Sequence, residues 1–493
     1  LALGLSAWGG ILFFLIPIII FYLILPFLKR EKNFIIWAAP VFSVSLILSL
    51  LLFERTSTFT IGYAGLVVGF STVFVVVCEL IKKFSNESKH VQNCFIFLTS
   101  IIIAMIGVFA SGIVSLPGFR YLNAMNPFLT SLDPLTDSVS EHMTTSLSTS
   151  YIFVSVFIIF GIIGIWFLFS RKTIDLKIDK RIFALITSIA AIYISSSFVR
   201  LEIFASVGLI ILGSIGLAIL FKKILESNIF SPTKILFCGV ILGLFLTPVI
   251  LPEDLSWTSW AEFPPTILHG GSFFSISTND WPDAMNWLKN NTSEDAIIAS
   301  WWDYGYWITV MSERATLIDN ATLIDSRITQ VAQIFLSEPN DAWKSFNEMN
   351  VDYVVIFISG EKYMTPDNKL FFDLRGGGDE SKITWFARIA EKHPSVYQHN
   401  DYKSPTNYFW NETLLGKLFP FTVLTYYNPQ TQEESPIFRD NFHQLTIKNI
   451  KYSFDSSTPF NLVYASSTFV EEKSGPMTGV FVYKINKNYT PLD

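Results

Sequence analysis

Ala296-Ile-Ile-Ala-Ser300, followed by Trp301-Trp302-Asp303-Tyr304-Gly305, is the stretch on which the reading of this chain turns. The first five residues form a short apolar run of the kind that makes a buried strand. The next five open a loop in which two indoles, a carboxylate, a phenol and a glycine stand side by side, and loops on a rigid scaffold often carry function. That set suits a small polar ligand. The indoles offer rigid walls and N–H donors, Asp303 accepts hydrogen bonds, and Gly305 lets backbone approach closely. A Trp-rich patch of core is the plain alternative.

The surrounding sequence falls into two halves. Of the 493 residues, 51% are hydrophobic and 16% aromatic, which points to a membrane protein of two or more domains. Residues 1–252 carry nearly all the long apolar runs, and residues 253–493 read as a soluble α/β domain. The second half holds 18 Lys+Arg against 30 Asp+Glu, a net of −12, leaving 17 against 11, or +6, in the first. An acidic soluble half argues against nucleic acid as a partner. Cys78, Cys94 and Cys238 lie in apolar segments, so no disulfide framework is expected in the second half. The sequence opens at Leu1, already apolar and without an initiator Met, and a truncated N-terminus is the expectation.

Eight segments are apolar enough to cross a bilayer: roughly 10–28, 34–53, 59–81, 93–114, 151–169, 182–199, 203–221 and 234–252. The basic stretches at 29–32, 82–83, 171–181 and 222–223 share one side, which the positive-inside rule makes cytoplasmic. The 115–150 loop and everything after 252 then lie outside. That loop is too long for a simple connector. It contains Ser138-Val139-Ser140-Glu141-His142, with Asp133 and Asp137 just before, and is either a solvated polar loop or a place for a divalent cation. Arg200 stands at a membrane turn and needs an anion, for which Glu202 and a lipid phosphate are the two options.

In the soluble half, Asn279-Asp280-Trp281-Pro282 signals a helix start running to about Asn290. Helical spacing covers Ser326–Leu336, Asp341–Met349 and Ile383–Lys392; strands are expected from Thr316 and over Asp352–Ser359, with short strands and turns beyond about 395. Asp379 and Lys382, after Gly376–Gly378, read in isolation as a helix-start aspartate in a surface ion pair worth at most about half a kcal/mol. Asn290, Asn291, Asn320, Asn411 and Asn488 each open an Asn-X-Ser/Thr sequon open to modification.

In this order the motifs resemble those of the oligosaccharyltransferase catalytic subunits, the enzymes of asparagine-linked glycosylation. Trp301–Gly305 matches the family signature, and Ser138–His142 looks like its external-loop motif. Arg200-Leu201 resembles its lipid-phosphate arginine, and Asp319–Thr322 its DNxT stretch. Asp379-x-x-Lys382 through Ile389 resembles its DK motif, and Leu5–Gly10 the start of a membrane helix in its middle region. The likeness spans nearly the whole chain, within the archaeal and eukaryotic branch and leaning archaeal. It implies a multi-pass α-helical membrane domain over 1–252, about eight helices of a thirteen-helix GT-C type fold, followed by an extracytoplasmic α/β domain over 253–493.

The implied reaction transfers an oligosaccharide from a dolichol-type lipid phosphate or pyrophosphate to Asn of an Asn-X-Ser/Thr sequon, with a divalent cation, Mn2+ or Mg2+. Glu141 is implied at the metal and the acceptor amide, and Arg200 at the lipid phosphate. Trp301, Trp302 and Asp303 are implied at the Ser/Thr hydroxyl, with Asp379, Lys382 and Phe386 lining the same pocket. Phe386 departs from the family, which usually has Met or Ile there. A further departure is that no two aspartates stand two residues apart, so the family's DxD-type motifs are not in this sequence. The resemblance implies that about five helices, the catalytic aspartate and most metal ligands lie outside it, and this chain alone is expected to be inactive. Two other readings remain: a different membrane glycosyltransferase using lipid-phosphate sugars, and a transporter with an external binding domain. The spans hold few ionisable groups, against the second.

Overall fold

The apolar runs of the first half become helices, and glycines decide how two of them meet. A computed structural model of the chain describes residues 1–28, 34–113, 122, 126, 128, 133–170, 176–251, 256–364, 370–399, 404–428, 430–436, 443–454 and 457–491. The basic stretches 29–32 and 171–175 and most of 114–132 lie outside the described residues. Two compact units divide the chain, Leu1–Trp260 and Ala261–Asp493.

In the first unit, α1 (Leu15–Ile24) is extended at both ends by tight turns over Gly9–Phe14 and Leu25–Phe27. Then follow α2 (Phe34–Leu50), α3 (Tyr63–Phe84), α4 (Glu87–Ala110), α5 (Phe157–Phe169), α6 (Ile178–Ser195), α7 (Glu202–Glu226) and α8 (Ser231–Ile250). Among the described residues, five helical spans are long and apolar enough to cross a membrane, and α5 and part of α2 form shorter apolar helices. The chain is a multi-pass membrane protein. Between α5 and α7 small residues set the spacing. A Cβ on Gly164 would lie 2.0 Å from the Leu212 carbonyl oxygen, and one on Gly216 would lie 2.3 Å from that of Phe160. Only glycine lets these two backbones touch, the usual way membrane helices gain packing where no water is displaced.

The second unit is a mixed sheet with helices. Its strands are β1 (Ile297–Ala299), β2 (Ala315–Thr316), β3 (Tyr353–Met364), β4 (Leu370–Asp373), β5 (Phe421–Asn428), β6 (Glu433–Ser435), β7 (His443–Lys448), β8 (Phe460–Ala465) and β9 (Gly475–Ile485). The order is β2-β1-β3-β4-β7-β5-β6, with β9 on the other side of β3 and β8 beyond it. β1 runs parallel to β2 and β3, and β3 runs antiparallel to β9 from Tyr353↔Lys484 to Lys362↔Gly475. Helices α9 (Asp280–Asn291), α10 (Asp325–Phe335), α11 (Pro339–Glu348) and α12 (Ile383–Ile389) flank it.

Three boundaries differ from the expectation, each for a local reason. β2 stops at Thr316, because after the Leu317 N–H reaches the Ile298 carbonyl the chain turns at Asp319–Thr322. α12 ends at Ile389 rather than Lys392, since Glu391 takes a left-handed φ of 59°. β3 runs on to Met364 through Gly360, where an added Cβ would strike the Asp373 carbonyl at 2.2 Å.

Gly164→Val should cost roughly 1–3 kcal/mol or more through overpacking, read as a lower melting temperature of the detergent-solubilised protein. Gly243→Val, with nothing within 4 Å, is the control and should melt like the parent.

Candidate functional site

The predicted residues fall in two places, one in each unit. In the membrane unit, Arg200 sits on a tight turn, Val199–Leu201, between α6 and α7. Ser195 pins that turn: its hydroxyl donates to the Leu201 carbonyl and accepts from the Ala205 N–H. The turn Ser140–His142 docks on it, because the Val199 N–H donates to the Met143 carbonyl at 2.9 Å and the His142 ring lies against Phe198. This docking brings Glu141 to Arg200, with Oε2 3.4 Å from Nε. Of the two anions considered for Arg200, Glu202 is not its partner among the described ion pairs; it is buried at the start of α7. The indole of Trp8 flanks the guanidinium 5.7 Å away and stacks in parallel on Phe204. Gly10 makes that possible, since a Cβ there would overlap the Trp8 ring.

The Arg200 and Glu141 side chains are 47% and 58% exposed. A pair this open is worth about 0–1 kcal/mol and exchanges readily for another anion. No group of three or more His, Cys, Asp or Glu gathers to hold a metal ion among the described residues. Asp133 caps the Pro134–Asp137 turn, and the His142 Nδ1 is engaged with the Thr136 carbonyl. Glu141 is a single carboxylate already facing a cation. These residues do not by themselves fit a divalent ion.

In the second unit the signature follows the carboxyl end of β1, where open α/β sheets place their ligands. It folds as a tight turn, Trp302–Tyr304, and the two indoles are not open walls as expected. Trp301 is 4% exposed and Trp302 6%, because Trp301 packs on Phe386 (centroids 4.4 Å apart), which in turn packs on Phe335. Asp303 alone of the first four signature residues points to solvent. The indole N–H of Trp302 is buried with no hydrogen-bond partner among the described residues. Phe386 thus supports Trp301 from behind.

The Asp379–Lys382 pair is not the surface pair that its spacing suggests in isolation. Asp379 is 1% exposed; it accepts from the Tyr304 hydroxyl at 2.7 Å and from the Phe357 N–H at 2.9 Å. Lys382 donates to the same hydroxyl at 2.6 Å, lies 3.8 Å from the Asp379 carboxylate, and faces the Tyr304 ring. The DK motif and the signature therefore meet in one buried network. Burial raises the Asp379 pKa above the usual carboxylate value against the pull of Lys382, and burial together with Asp379 holds the Tyr304 phenol well above its ordinary value. Glu380 accepts from the N–H groups of Ser359 and Gly378, yet burial outweighs them and lifts its pKa to about 7.

Three contributors escaped the sequence reading. Tyr304 was visible as a phenol in the signature, but its reach to Asp379 spans 75 residues of chain. Trp8 was seen only as part of a helix start. Asn320 stands in a sequon and in the DNxT stretch, and neither shows that its amide is hydrogen-bonded to Asp303.

A family model for the STT3/PglB/AglB core domain matches residues 293–370, which span the signature and β3. Over 94% of this chain, the STT3 subunit of dolichyl-diphosphooligosaccharide–protein glycosyltransferase from Dictyostelium discoideum is 25% identical. This chain is similar to the oligosaccharyltransferase catalytic subunits over most of its length. The Caenorhabditis elegans member is 24% identical over 55% of the chain. The fold resembles the apo oligosaccharyltransferase of Archaeoglobus fulgidus, with a TM-score of 0.62, 18% identity and 95% of this chain covered. The chain spans 65% of the Dictyostelium relative, 39% of the C. elegans one and 57% of the Archaeoglobus one. The same Archaeoglobus enzyme has been solved tethered to an acceptor peptide containing an NVT sequon, with a TM-score of 0.59 at 17% identity, and also in complex with Zn and sulfate. A divalent cation is consistent with the family.

Asp379→Ala should lower stability by about 3–5 kcal/mol, because it strands Lys382 and Tyr304 without their buried partner; a denaturant melt checks this. For Glu380, the folded-state pKa of about 7 lies above the ordinary 4.5, so its contribution to stability is present at low pH and fades as pH rises between them. The melting-temperature difference between parent and Glu380→Gln should accordingly shift against the parent from pH 5 to pH 8.

Proposed function

We propose that this chain serves in the transfer of an oligosaccharide from a dolichol-type lipid phosphate or pyrophosphate to Asn in Asn-X-Ser/Thr, as a glycosyltransferase of asparagine-linked glycosylation. The observation that carries this reading is the signature turn at the end of β1: Asp303 presented at the surface, next in sequence to a buried Trp302 N–H that has no partner among the described residues. A Ser or Thr hydroxyl is a small group that donates to such a carboxylate. A site built on such bonds rejects acceptors lacking the hydroxyl. Lys382 and Asp379 hold Tyr304, and Phe386 backs Trp301, so these three act on the acceptor through the signature.

Residues 1–252 are proposed as the membrane domain and 253–493 as the extracytoplasmic domain, on the side opposite the basic loops. In the membrane domain, Arg200 binds the anionic lipid phosphate in exchange for Glu141, which is thereby released toward the acceptor amide. An amide nitrogen is a poor nucleophile because its lone pair is delocalised, and a carboxylate accepting its N–H would lessen that. A divalent cation, Mn2+ or Mg2+, belongs to the reaction as proposed, with Glu141 the residue of this chain put forward toward it. The described residues do not by themselves hold such an ion.

The test is glycosylation of Asn-X-Thr and Asn-X-Ala peptides by the complete enzyme with a lipid-linked donor; equal rates on both would overturn the reading. Asp303→Ala should weaken acceptor-peptide binding by about 1–3 kcal/mol, measured by peptide titration, with the lipid donor bound as before.

A further inference from the structure

Behind Asp303 lies a side chain that neither the signature nor the DK motif includes. Asn320 donates from Nδ2 to the Asp303 carboxylate oxygen Oδ1 at 3.0 Å and to the Asp303 carbonyl at 2.7 Å. Its Oδ1 accepts from the Tyr306 N–H at 3.0 Å. Only this orientation of the amide works, because a flipped group would face two acceptors with an oxygen and a donor with an NH2. All three bonds land within four residues of chain. Asn320 therefore spans the signature turn from its exposed carboxylate to the helical turn that follows.

The turn carrying Asn320 is itself held. The Ala321 N–H donates to the Asp319 carboxylate, the Thr322 N–H donates to the Asp319 carbonyl, and Thr322 takes a left-handed φ of 49°. The segment then lies against Gly305, where a Cβ would come within 2.5 Å of the Asp319 Cα. The glycine of the signature thus has a definite use: it lets the Asn320 turn close on Asp303.

We infer that Asn320 is a positioning residue for Asp303, setting the direction from which its carboxylate meets the acceptor hydroxyl. It is thereby withheld from modification although it opens an Asn-Ala-Thr sequon. Both hydrogens of its amide nitrogen are donated to Asp303. Forming a bond from that nitrogen to a sugar removes one of them and sets the glycan against an Asp303 oxygen. The inference rests on the acceptor-hydroxyl role given to Asp303 under the proposed function.

The test compares Asn320→Ala, Asp303→Ala and the double variant in the complete enzyme, on Asn-X-Thr and Asn-X-Ala peptides. Asn320→Ala should raise KM for the Thr peptide about tenfold, the scale of one hydrogen bond to a charged group, with a much smaller change in kcat. The double variant should be no worse than Asp303→Ala. Asn320→Asp keeps the shape and the Tyr306 bond but sets two carboxylates face to face, and it should lose at least as much, which covers an Ala variant that folds poorly. Peptide mapping of the purified protein should find Asn320 bare. A glycan on Asn320, an unchanged KM in both variants, or effects that multiply in the double variant would each overturn the inference while leaving the proposed function standing. A parent enzyme indifferent to the Thr would instead remove the proposed function, and this inference with it.

Discussion

Two carboxylates complete an interrupted sheet edge, and the signature turn rests on them. On one side β3 pairs with β9 along its length; on the other it meets β1 only at Tyr353 and Val354 and β4 only from Glu361 onward. Between those contacts the N–H groups of Phe357 and Ser359 point at no strand. Asp379 and Glu380 supply the missing acceptors. A buried N–H must be satisfied by something, and carboxylates in this gap satisfy it while leaving an oxygen of Asp379 for Tyr304.

The glycine run before them follows from the same constraint. A Cβ on Gly376 would fall 2.5 Å from the Ser359 carbonyl carbon, and one on Gly378 would fall 2.7 Å from the Ser359 nitrogen. Gly377 takes a φ of 95°, which glycine adopts freely. The chain can thus lie directly on the strand edge and aim two acids into it. A charge buried this way is expensive unless paired, and Lys382 together with the Tyr304 hydroxyl supplies the pairing.

Much of this was legible in the sequence and some was not. The eight apolar segments all fall on helices, although five of the described helical spans, not eight, are long and apolar enough to cross a membrane; the strand before the signature and the buried run of β3 follow from period and composition, because burial acts on each residue separately. The signature's chemistry was legible as a set of groups, but the exposure of its indoles was not: they lie inward, and Asp303 alone faces solvent. The side-chain neighbours of a tight turn depend on Phe386 and Phe335, which are distant in the chain. The Asp379–Lys382 spacing suggested an exposed pair, since i,i+3 geometry says nothing about what lies above it. Neither the sequon nor the DNxT stretch carries information about where the Asn320 amide points. Arg200 met Glu141 instead of its near neighbour through a backbone bond between two turns far apart in sequence.

The pairing of β3 with β9 bears on how the molecule is made. The strand beneath the signature is complete at residue 364, yet its long partner is not available until residue 485, more than a hundred residues later. During synthesis one whole border of β3 waits open, and open borders recruit whatever strand comes first. The second unit therefore closes late, with its central strand sealed by one that emerges more than a hundred residues after it, and a ribosome that stalls between them leaves an adhesive template exposed.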